Sequence, residues 1–501
     1  MESLPDIVRE SAETRPEKPA LVFHGRVTSY RELDALVDRT AAALVGLGIG
    51  KGDRVALLLG NIPEFVYGLM GVLRLGAVAV PLNNASTRDE IAGALADAEA
   101  AAVIVGIDLV PAALGAREEI PSLEHVLVIG PPPTPRGTRS FDELLDRAGA
   151  PPDVDVRRDD LALLQYTAGT TARPKGAMLT HGNLLANLEQ VSEVPALEEA
   201  ESDVVLLVLP LFHIYALNAA LDLVLRAGGT AVLEDRFDPV ETLRLVERHG
   251  ITVLFGVPQM YQAWLAAADE AGADLSSVRL AVSGAAPLPA AVLEAFRDRF
   301  GATIWEGYGL TETAPVVTTN AVGDEARGDS IGLPLPGVEV RLLDEDGTDA
   351  IDGDPGEILV RGPNVFKGYW RRPDDTEEAF HEGWLRTGDI AYRGASGYLF
   401  LVDRSKDLII VSGFNVFPRE VEEALITHPA VREAAVVGVP DERTGEGIKA
   451  FVVTDRPVSA DDLREHCAGH LARFKLPSEI EFVDALPRHA TGKVVRRRFR
   501  E

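Results

Sequence analysis

Residues 55–80 read VALLLGNIPEFVYGLMGVLRLGAVAV and contain the pattern that decides the fold class. The apolar run 55–59 ends at Gly60, as a buried strand does, and a helical pattern opened by Pro63 follows. A second apolar run covers residues 77–80. Strand, helix and strand in this order predict a βαβ unit, and therefore an α/β protein with parallel sheets covered by helices on both faces.

The same alternation continues to about residue 330. Ser29 and Glu32 form a capping box that opens a helix, and Gly46 and Gly48 end it. Further strands are predicted at residues 103–105, 126–129, 161–164, 204–209, 231–233, 253–255 and 280–282.

After residue 330 the pattern changes. Short strands at 338–343, 356–361 and 399–402 are separated by Gly and Asp turns, which predicts a small β-barrel over about residues 330–403. From Arg404 onward, strand and helix patterns at 408–411, 419–425, 434–439, 450–453 and 460–470 predict a compact α+β domain over 404–501.

The charge of the chain is strongly negative and unevenly distributed. The 501 residues include 49 Lys+Arg and 78 Asp+Glu, which gives a net charge of −29. Residues 404–501 contain 16 of each kind, so the whole excess lies in residues 1–403. This acidity argues against nucleic acid or an anionic membrane as the main partner. Cys467 is the single cysteine, which excludes an intramolecular disulfide and suits a reducing compartment.

Neither the N-terminus nor the longest apolar stretch has the composition of a targeting or membrane segment. The N-terminus has acidic residues and no apolar core, unlike a signal peptide, so we expect a cytoplasmic protein. Residues 204–225 are mostly apolar but contain Pro210, His213, Asn218 and Asp222, and the polar side chains are costly in hydrocarbon. A buried strand, a turn at Pro210 and an internal helix are therefore predicted instead of a membrane span.

The most informative stretch for chemistry is YTAGTTARPKGA, residues 166–177. It follows an apolar strand and combines hydroxyl donors, a glycine and a cation, which suit phosphate oxygens: Thr167, Thr170, Thr171, Gly169 and Lys175. It is not a Walker A loop, because Pro174 precedes the lysine and no Ser or Thr follows it. Taken alone, a stretch of this composition is also typical of a surface turn.

Three later segments add candidate groups. In WEGYGLTET (305–313), Tyr308 offers a ring for stacking, and Thr311 and Glu312 offer oxygen ligands for Mg²⁺. In GWLRTGD (383–389), Asp389 suits the hydroxyls of a ribose, and Arg404 lies further along the chain. LPRHATGK (486–493) ends in Lys493. Each segment alone has an ordinary alternative, namely a connection between elements, a turn cap and a solvated lysine.

These four segments, in this order and over nearly the whole chain, resemble those of the adenylate-forming superfamily. That superfamily includes acyl-CoA synthetases, 4-coumarate:CoA ligases, luciferases and the adenylation domains of peptide synthetases. The resemblance implies a large N-terminal adenylation domain (1–403), with two parallel βαβ sheet subdomains and the small β-barrel. It also implies a small, mobile α+β C-terminal domain (404–501).

The resemblance also assigns roles to residues. The β- and γ-phosphates of ATP would be held by Thr167, Gly169, Thr170, Thr171 and Lys175, and the adenine would be framed by Gly284, Ala285, Ala286 and Tyr308. Asp389 and Arg404 would hold the ribose. The catalytic residues would be Thr311, Glu312 and Lys493, with Thr170 and Glu312 at the metal. Lys406 would lie near the hinge, and the loop at Gly413 would face CoA.

The implied reaction has two steps. A carboxylate attacks the α-phosphate of ATP, with Mg²⁺ and Lys493 stabilising the charge, and CoA then displaces AMP. Two departures from the family pattern are Ala168, where Ser is usual, and Ala172, where Gly is usual. Loss of a donor at Ala168 is expected to cost about 1–3 kcal/mol, and Ala172 adds a Cβ where the loop favours glycine.

The acid itself is indicated by PLFHIYALN, residues 210–218, which resembles the acyl-pocket segment of 4-coumarate:CoA ligases. His213 and Tyr215 match residues that line the tunnel there. Gly307 stands where malonate-type relatives have Arg, and Gly309 where acetate-type relatives have Trp. Both favour an uncharged tunnel for a medium or long acyl chain, or for an arylalkenoic acid.

The leading interpretation is therefore an AMP-forming acyl-CoA synthetase that uses ATP, Mg²⁺ and CoA, as a monomer or homodimer. Two alternatives stay open. One is an enzyme that adenylates an acid and loads it onto a carrier protein. The other is a catalytically weakened ATP-binding relative, which the departures at Ala168 and Ala172 would explain.

Overall fold

The computed structural model describes residues 1–151, 153–167, 174–323, 325–344, 346–404, 409–411, 414–441, 445–488 and 494–499. The chain divides into two compact units. The first comprises Met1–Gly328, Gly332–Glu339 and Arg361–Leu385, and the second comprises Asp329–Ile331, Val340–Val360 and Arg386–Glu501. The functional boundary at residue 404 stays a prediction.

A seven-stranded sheet forms the first half of unit one. Its strands, in spatial order, are Arg139–Ser140, His125–Ile129, Ala102–Gly106, Arg54–Leu58, Val78–Pro81, Leu161–Thr167 and Lys175–Thr180. All neighbours are parallel except the last two, which form an antiparallel hairpin. Along the chain, these strands alternate with helices: Tyr30–Val45, Pro63–Arg74, Arg88–Asp97, Val110–Glu119 and Phe141–Asp146. The predicted βαβ unit is therefore confirmed, because strands Arg54–Leu58 and Val78–Pro81 flank helix Pro63–Arg74 and pair in parallel.

A nine-stranded sheet forms the second half of unit one. Its strands, in spatial order, are Leu333–Pro334, Val316–Thr319, Ile304–Gly309, Leu280–Ser283, Val253–Gly256, Val204–Leu207, Thr230–Leu233, Pro19–Phe23 and Arg26–Ser29. The central strands are parallel, and antiparallel pairs occur at both edges. Its helices include Asp6–Thr14, His181–Ser192, Pro239–His249, Pro258–Ala271 and Ala290–Phe300.

Local sequence signals are borne out at helix starts. The Ser29 hydroxyl accepts from the Glu32 amide (3.3 Å), and the Ser29 amide donates to the Glu32 carboxylate (2.8 Å), which completes the capping box.

The apolar stretch after residue 204 forms strand Val204–Leu207 and a helical run in three parts, Ile214–Ala216, Leu217–Asp222 and Leu223–Ala227. The strand is two residues shorter than expected. No helix in the described part of the chain combines the length and apolar character needed to cross a bilayer.

A five-stranded curled sheet occupies the region in which the sequence predicts a small barrel. Its strands are Glu339–Leu343, Gly356–Arg361, Phe380–His381, Trp384–Arg393 and Leu399–Arg404, and the short helix Pro373–Glu378 precedes the third. Strand Leu399–Arg404 branches onto strand Trp384–Arg393. The predicted α/β fold class, with parallel sheets and this additional curled sheet, is confirmed.

The C-terminal region is a separate α+β structure. Its five strands, in spatial order with the branch last, are Phe414–Val416, Ile409–Val411, Gly445–Thr454, Val431–Asp441 and Glu479–Phe482. Helices Pro418–Ile426 and Ala460–Ala468 share a buried apolar core with these strands, which includes Val421, Leu425 and Leu463. This region matches the predicted small C-terminal domain.

Candidate active site

The phosphate-binding stretch predicted from the sequence lies on a β-hairpin. Thr167 ends strand Leu161–Thr167, Lys175 begins strand Lys175–Thr180, and the two residues are register partners. The hairpin tip, with Ala168, Gly169, Thr170, Thr171 and Ala172, lies outside the described residues. Thr167 and Lys175 therefore flank the tip at the carboxyl end of the strand that pairs in parallel with Val78–Pro81. Ligands of open α/β sheets bind at that end.

Lys175 has two described partners. Its ammonium Nζ lies 2.5 Å from Oδ1 of Asp375 and 5.2 Å from the centroid of the Tyr369 ring. The side chains of Lys175 and Asp375 are 17% and 29% exposed, so the ion pair is largely shielded from water. A cation over an aromatic face gains electrostatic attraction.

Glu312 lies in the short turn Thr311–Thr313, directly after strand Ile304–Gly309. Its carboxylate Oε1 accepts a hydrogen bond of 2.8 Å from the Tyr369 hydroxyl, and its backbone carbonyl accepts one of 2.9 Å from the Phe366 amide. Burial and the adjacent Glu312 carboxylate raise the pKa of Tyr369. Tyr369 therefore stays protonated and donates at neutral pH, which fixes one oxygen of the predicted metal ligand.

Tyr369 joins two segments that the sequence places 137 residues apart, Lys175 on the hairpin and Glu312 after the other sheet. The residues that hold it there form a crossing segment, residues 366–376. This segment pairs with the hairpin strand, because the Met178 amide donates to the Gly368 carbonyl (2.9 Å) and the Trp370 amide donates to the Gly176 carbonyl (2.8 Å). Gly368 has φ +125°, and a Cβ there would lie 2.4 Å from Thr376 Cγ2, so glycine is required.

Sequence reasoning missed Tyr369 and Asp375. Their signals are weak: a Gly-Tyr-Trp run, and one of two adjacent aspartates in a polar stretch. Neither residue has a local pattern that points to nucleotide chemistry, because their partners are distant in sequence. They are recognised from the tertiary contacts alone.

The segment predicted to frame the adenine follows strand Leu280–Ser283. Gly284 is buried, and Ala285 has the left-handed φ of +66°. The Leu288 amide donates to the buried Glu306 carboxylate (3.1 Å), which ties this turn to strand Ile304–Gly309, and Tyr308 lies half-buried on the same strand. The structure thus places the turn beside the strand of Tyr308, and their role at the adenine stays a prediction.

The glycines beside Tyr308 differ in what surrounds them. A Cβ at Gly307 would meet the Thr318 carbonyl oxygen at 3.5 Å, an ordinary contact. A Cβ at Gly309 would lie 1.8 Å from the Pro315 carbonyl oxygen. Glycine at 309 is therefore required by the backbone, and its presence does not by itself indicate an open acyl pocket.

The predicted acyl-pocket residues lie at the carboxyl ends of the nine-stranded sheet. The Tyr215 hydroxyl donates to the Val282 carbonyl (3.2 Å), and the Tyr215 ring meets Phe255 edge-on, with the centroids 6.0 Å apart. A Cβ added at Gly284 would lie 3.2 Å from the Tyr215 ring, so the turn passes close to this ring. His213 is partly exposed and accepts from the Tyr215 amide (3.3 Å). Burial raises the pKa of Tyr215, so its hydroxyl stays neutral.

In the second unit, the structure brings together the two residues predicted to hold the ribose. Asp389 and Arg404 are register partners on adjacent antiparallel strands. Asp389 is buried, and its amide donates to the Thr387 hydroxyl (3.1 Å). Lys406, Gly413 and Lys493 lie outside the described residues, so their roles stay predictions.

The described strands of the hairpin end in Thr167 and Lys175, and Tyr369 links this lysine to the Glu312 carboxylate beside the other sheet. This combination of a hydroxyl, a cation, a carboxylate and an aromatic ring suits a nucleotide and an activated acid. Comparisons with known proteins identify the class. The sequence profile of the AMP-binding enzyme family matches residues 8–370, and that of the AMP-binding enzyme C-terminal domain matches residues 420–493.

Individual relatives cover the whole chain. The long-chain-fatty-acid–CoA ligase of Yersinia pestis is 38% identical over 100% of this chain and 94% of its own. The feruloyl-CoA synthase of an Amycolatopsis species is 40% identical over 97% of each chain. The crystal structure of the anthranilate CoA ligase AuaEII in complex with anthranoyl-AMP superimposes with a TM-score of 0.91 at 32% identity, over 99% of this chain and 96% of that one.

The chain therefore belongs to the AMP-binding enzyme family. Within it, the protein is an AMP-forming acyl-CoA synthetase, an acid–thiol ligase.

Proposed function

We propose that the protein activates a medium- or long-chain fatty acid, or an arylalkenoic acid, as its acyl-adenylate with release of pyrophosphate, and then transfers the acyl group to CoA with release of AMP. One observation carries the site assignment: Tyr369 contacts both Lys175 on the hairpin and Glu312 beside the other sheet. A phosphate-binding cation and a metal-binding carboxylate are thus linked through one side chain.

The chemistry of the first step requires charge stabilisation rather than a base. The attacking carboxylate is already ionised, and the barrier lies in bringing it to an α-phosphate that gains further charge. Lys175, with the threonines of the hairpin, would hold the outer phosphates, and Lys493 would stabilise the charge on the α-phosphate. Asp389 and Arg404 would hold the ribose, and Tyr308 with the turn 284–286 would frame the adenine.

Glu312 fits the Mg²⁺ that this chemistry uses, because a carboxylate held by a hydrogen bond is a hard oxygen ligand of fixed direction. When bound, the ion neutralises phosphate charge. The Tyr369 hydroxyl holds Oε1 of Glu312, and the Lys175 ammonium lies 5.2 Å from the centroid of the same ring. We propose Thr170 as a further oxygen ligand.

The acid is inferred from the pocket wall and the relatives. The wall formed by Tyr215 and Phe255 is aromatic and uncharged, and Gly307 provides no cation for a second carboxylate. The two relatives compared above are named for a long-chain fatty acid and for ferulate, both acids with an apolar body. We further propose that the enzyme acts in the cytoplasm, as a monomer or homodimer.

A screen of CoA consumption tests this proposal. Straight-chain acids of graded length and cinnamate-type acids are supplied with ATP and Mg²⁺, with malonate and acetate as controls. Thioester formation with an apolar acid, but not with malonate, is the expected result. Thioester formation on acyl carrier protein but not on CoA would favour the carrier-loading alternative, and ATP binding without acid-dependent pyrophosphate exchange would favour a weakened relative.

A further inference from the structure

Asp375 forms an ion pair with Lys175, the residue proposed to bind the outer phosphates of ATP. It lies in the first turn of helix Pro373–Glu378, and its carboxylate is 2.5 Å from the Lys175 ammonium. The pair is largely shielded from water and lies wholly within the first unit. A charge pair in such surroundings is screened less than one on the surface.

The surroundings of the pair hold both partners in place. The Tyr369 amide donates to the Thr376 hydroxyl (2.9 Å), and that hydroxyl donates to the Arg372 carbonyl (2.7 Å), which anchors the start of the helix beside Tyr369. The Tyr369 ring lies 5.2 Å from the same ammonium. Lys175 is therefore held between a carboxylate and a ring, both fixed by the crossing segment.

We propose that Asp375 is a positioning residue that competes with the phosphates of ATP, and of pyrophosphate, for Lys175. This inference rests on the proposed role of Lys175. A polyphosphate that binds this ammonium must share it with Asp375 or take it away, and its negative charge then lies close to the Asp375 carboxylate. Asp375 holds Lys175 ready for the site, lowers the affinity for polyphosphate and speeds the release of pyrophosphate after adenylation.

The chain offers a matched control. Asp374 is the neighbouring residue, lies in the same first helical turn and is exposed. Among the ion pairs of the described residues, Asp375 is the partner of Lys175 and Asp374 has none. The variants Asp375→Asn and Asp374→Asn therefore make the same change in net charge and in the helix terminus, and differ in the contact with Lys175.

The test measures the Kd of ATP and of pyrophosphate by calorimetry on the full-length protein, together with the KM of ATP and kcat. Asp375→Asn is expected to bind both ligands about fivefold more tightly, as loss of a competing ion pair worth about 1 kcal/mol implies. The KM of the acid stays unchanged. Asp374→Asn and the charge-conserving Asp375→Glu are expected to bind both ligands like the wild type.

Lys175→Ala separates this inference from the function on which it rests. If Lys175→Ala weakens ATP binding and Asp375→Asn leaves it unchanged or weaker, the competition by Asp375 is wrong and the role of Lys175 stands. If Lys175→Ala leaves ATP binding unchanged, both are wrong. A fivefold gain shared by Asp374→Asn would show a general charge effect and would also overturn the inference. Thermal melting of each variant excludes loss of folding as the cause.

Discussion

The two parallel sheets of the first unit share one architecture and differ in the chemistry at their carboxyl ends. The seven-stranded sheet presents a hydroxyl and a cation there, Thr167 and Lys175. The nine-stranded sheet leads into a carboxylate and aromatic rings, at Glu312, Tyr308 and Tyr215. The comparison shows that a repeated α/β scaffold positions the groups, while short segments at the strand ends decide what each half binds.

The junction between the two halves comes from a third part of the chain. The crossing segment, residues 366–376, adds backbone hydrogen bonds to the hairpin strand and places Tyr369 and Asp375 against Lys175. The same Tyr369 binds Glu312. Substitutions in each half and at the junction therefore separate what each contributes to binding and catalysis.

The largest effect is expected at Lys493, near the end of the printed sequence. If the two sheets bind ATP and this lysine acts only on the α-phosphate, Lys493→Ala will slow acyl-adenylate formation about 10²- to 10³-fold and leave the Kd of ATP nearly unchanged. Acid-dependent pyrophosphate exchange measures the first quantity and calorimetry the second. Thioester formation from supplied acyl-adenylate is the control and should keep its rate. Exchange at the wild-type rate would contradict the mechanism.

The next largest effect is expected on the rate of adenylation when the hydrogen bond between Tyr369 and Glu312 is removed. Tyr369→Phe removes the hydrogen bond to Glu312 and leaves the ring beside Lys175, so adenylation is expected to slow about tenfold, in line with the value of a hydrogen bond to a charged group. The Mg²⁺ concentration that gives half-maximal rate should rise, since the carboxylate is no longer held.

Tyr392→Phe makes the same chemical change on an exposed tyrosine of the second unit and is the matched control. Glu312→Gln should have a larger effect than Tyr369→Phe. An unaltered Mg²⁺ dependence in Tyr369→Phe would show that the tyrosine does not position Glu312.

The difference between the halves and their junction also explains what the sequence could predict. The βαβ order around Pro63, the capping box at Ser29 and the hairpin strand before Thr167 are local patterns, and each is found in the structure. The pairing of Lys175 with Asp375 joins residues 200 apart, so no local pattern carries it. Gly309 is a further example, because its need for glycine comes from the Pro315 carbonyl of a neighbouring strand connection.

The stability of the protein is expected to depend on pH through His181, which lies where the chain passes from the seven-stranded sheet to the nine-stranded sheet. His181 begins the helix that follows the hairpin, is fully buried, and accepts a hydrogen bond from the Leu4 amide (3.1 Å) through Nδ1. Burial lowers its pKa from 6.5 to about 4. Below pH 6.5, His181 is protonated in the unfolded chain but stays neutral in the folded protein. The free energy of unfolding therefore falls by about 1.4 kcal/mol per pH unit, until His181 is also protonated in the folded protein near pH 4.

His181→Asn retains an acceptor close to the position of Nδ1 and cannot be protonated. Its urea midpoint should therefore decrease less between pH 6.5 and 4.5 than that of the wild type. His470→Asn, a change at an exposed histidine of the C-terminal region, is the control and should keep the wild-type dependence. Identical pH profiles of wild type and His181→Asn would disprove the role of His181.

The smallest effect is expected at Tyr215 and is measured against Tyr166, a tyrosine of the other sheet. The Tyr166 hydroxyl donates to the Asp97 carboxylate (2.8 Å), whereas the Tyr215 hydroxyl donates to the Val282 carbonyl (3.2 Å), which also accepts from Tyr261 (2.7 Å). Tyr166→Phe removes a bond to a charged group and should cost about 1.5–3 kcal/mol, while Tyr215→Phe leaves its acceptor satisfied and should cost about 0.5 kcal/mol. Urea unfolding of both variants measures the difference. An equal or larger cost for Tyr215→Phe would contradict this expectation. It would show that the Tyr215 hydroxyl stabilises the nine-stranded sheet as much as the Tyr166 hydroxyl stabilises the seven-stranded sheet.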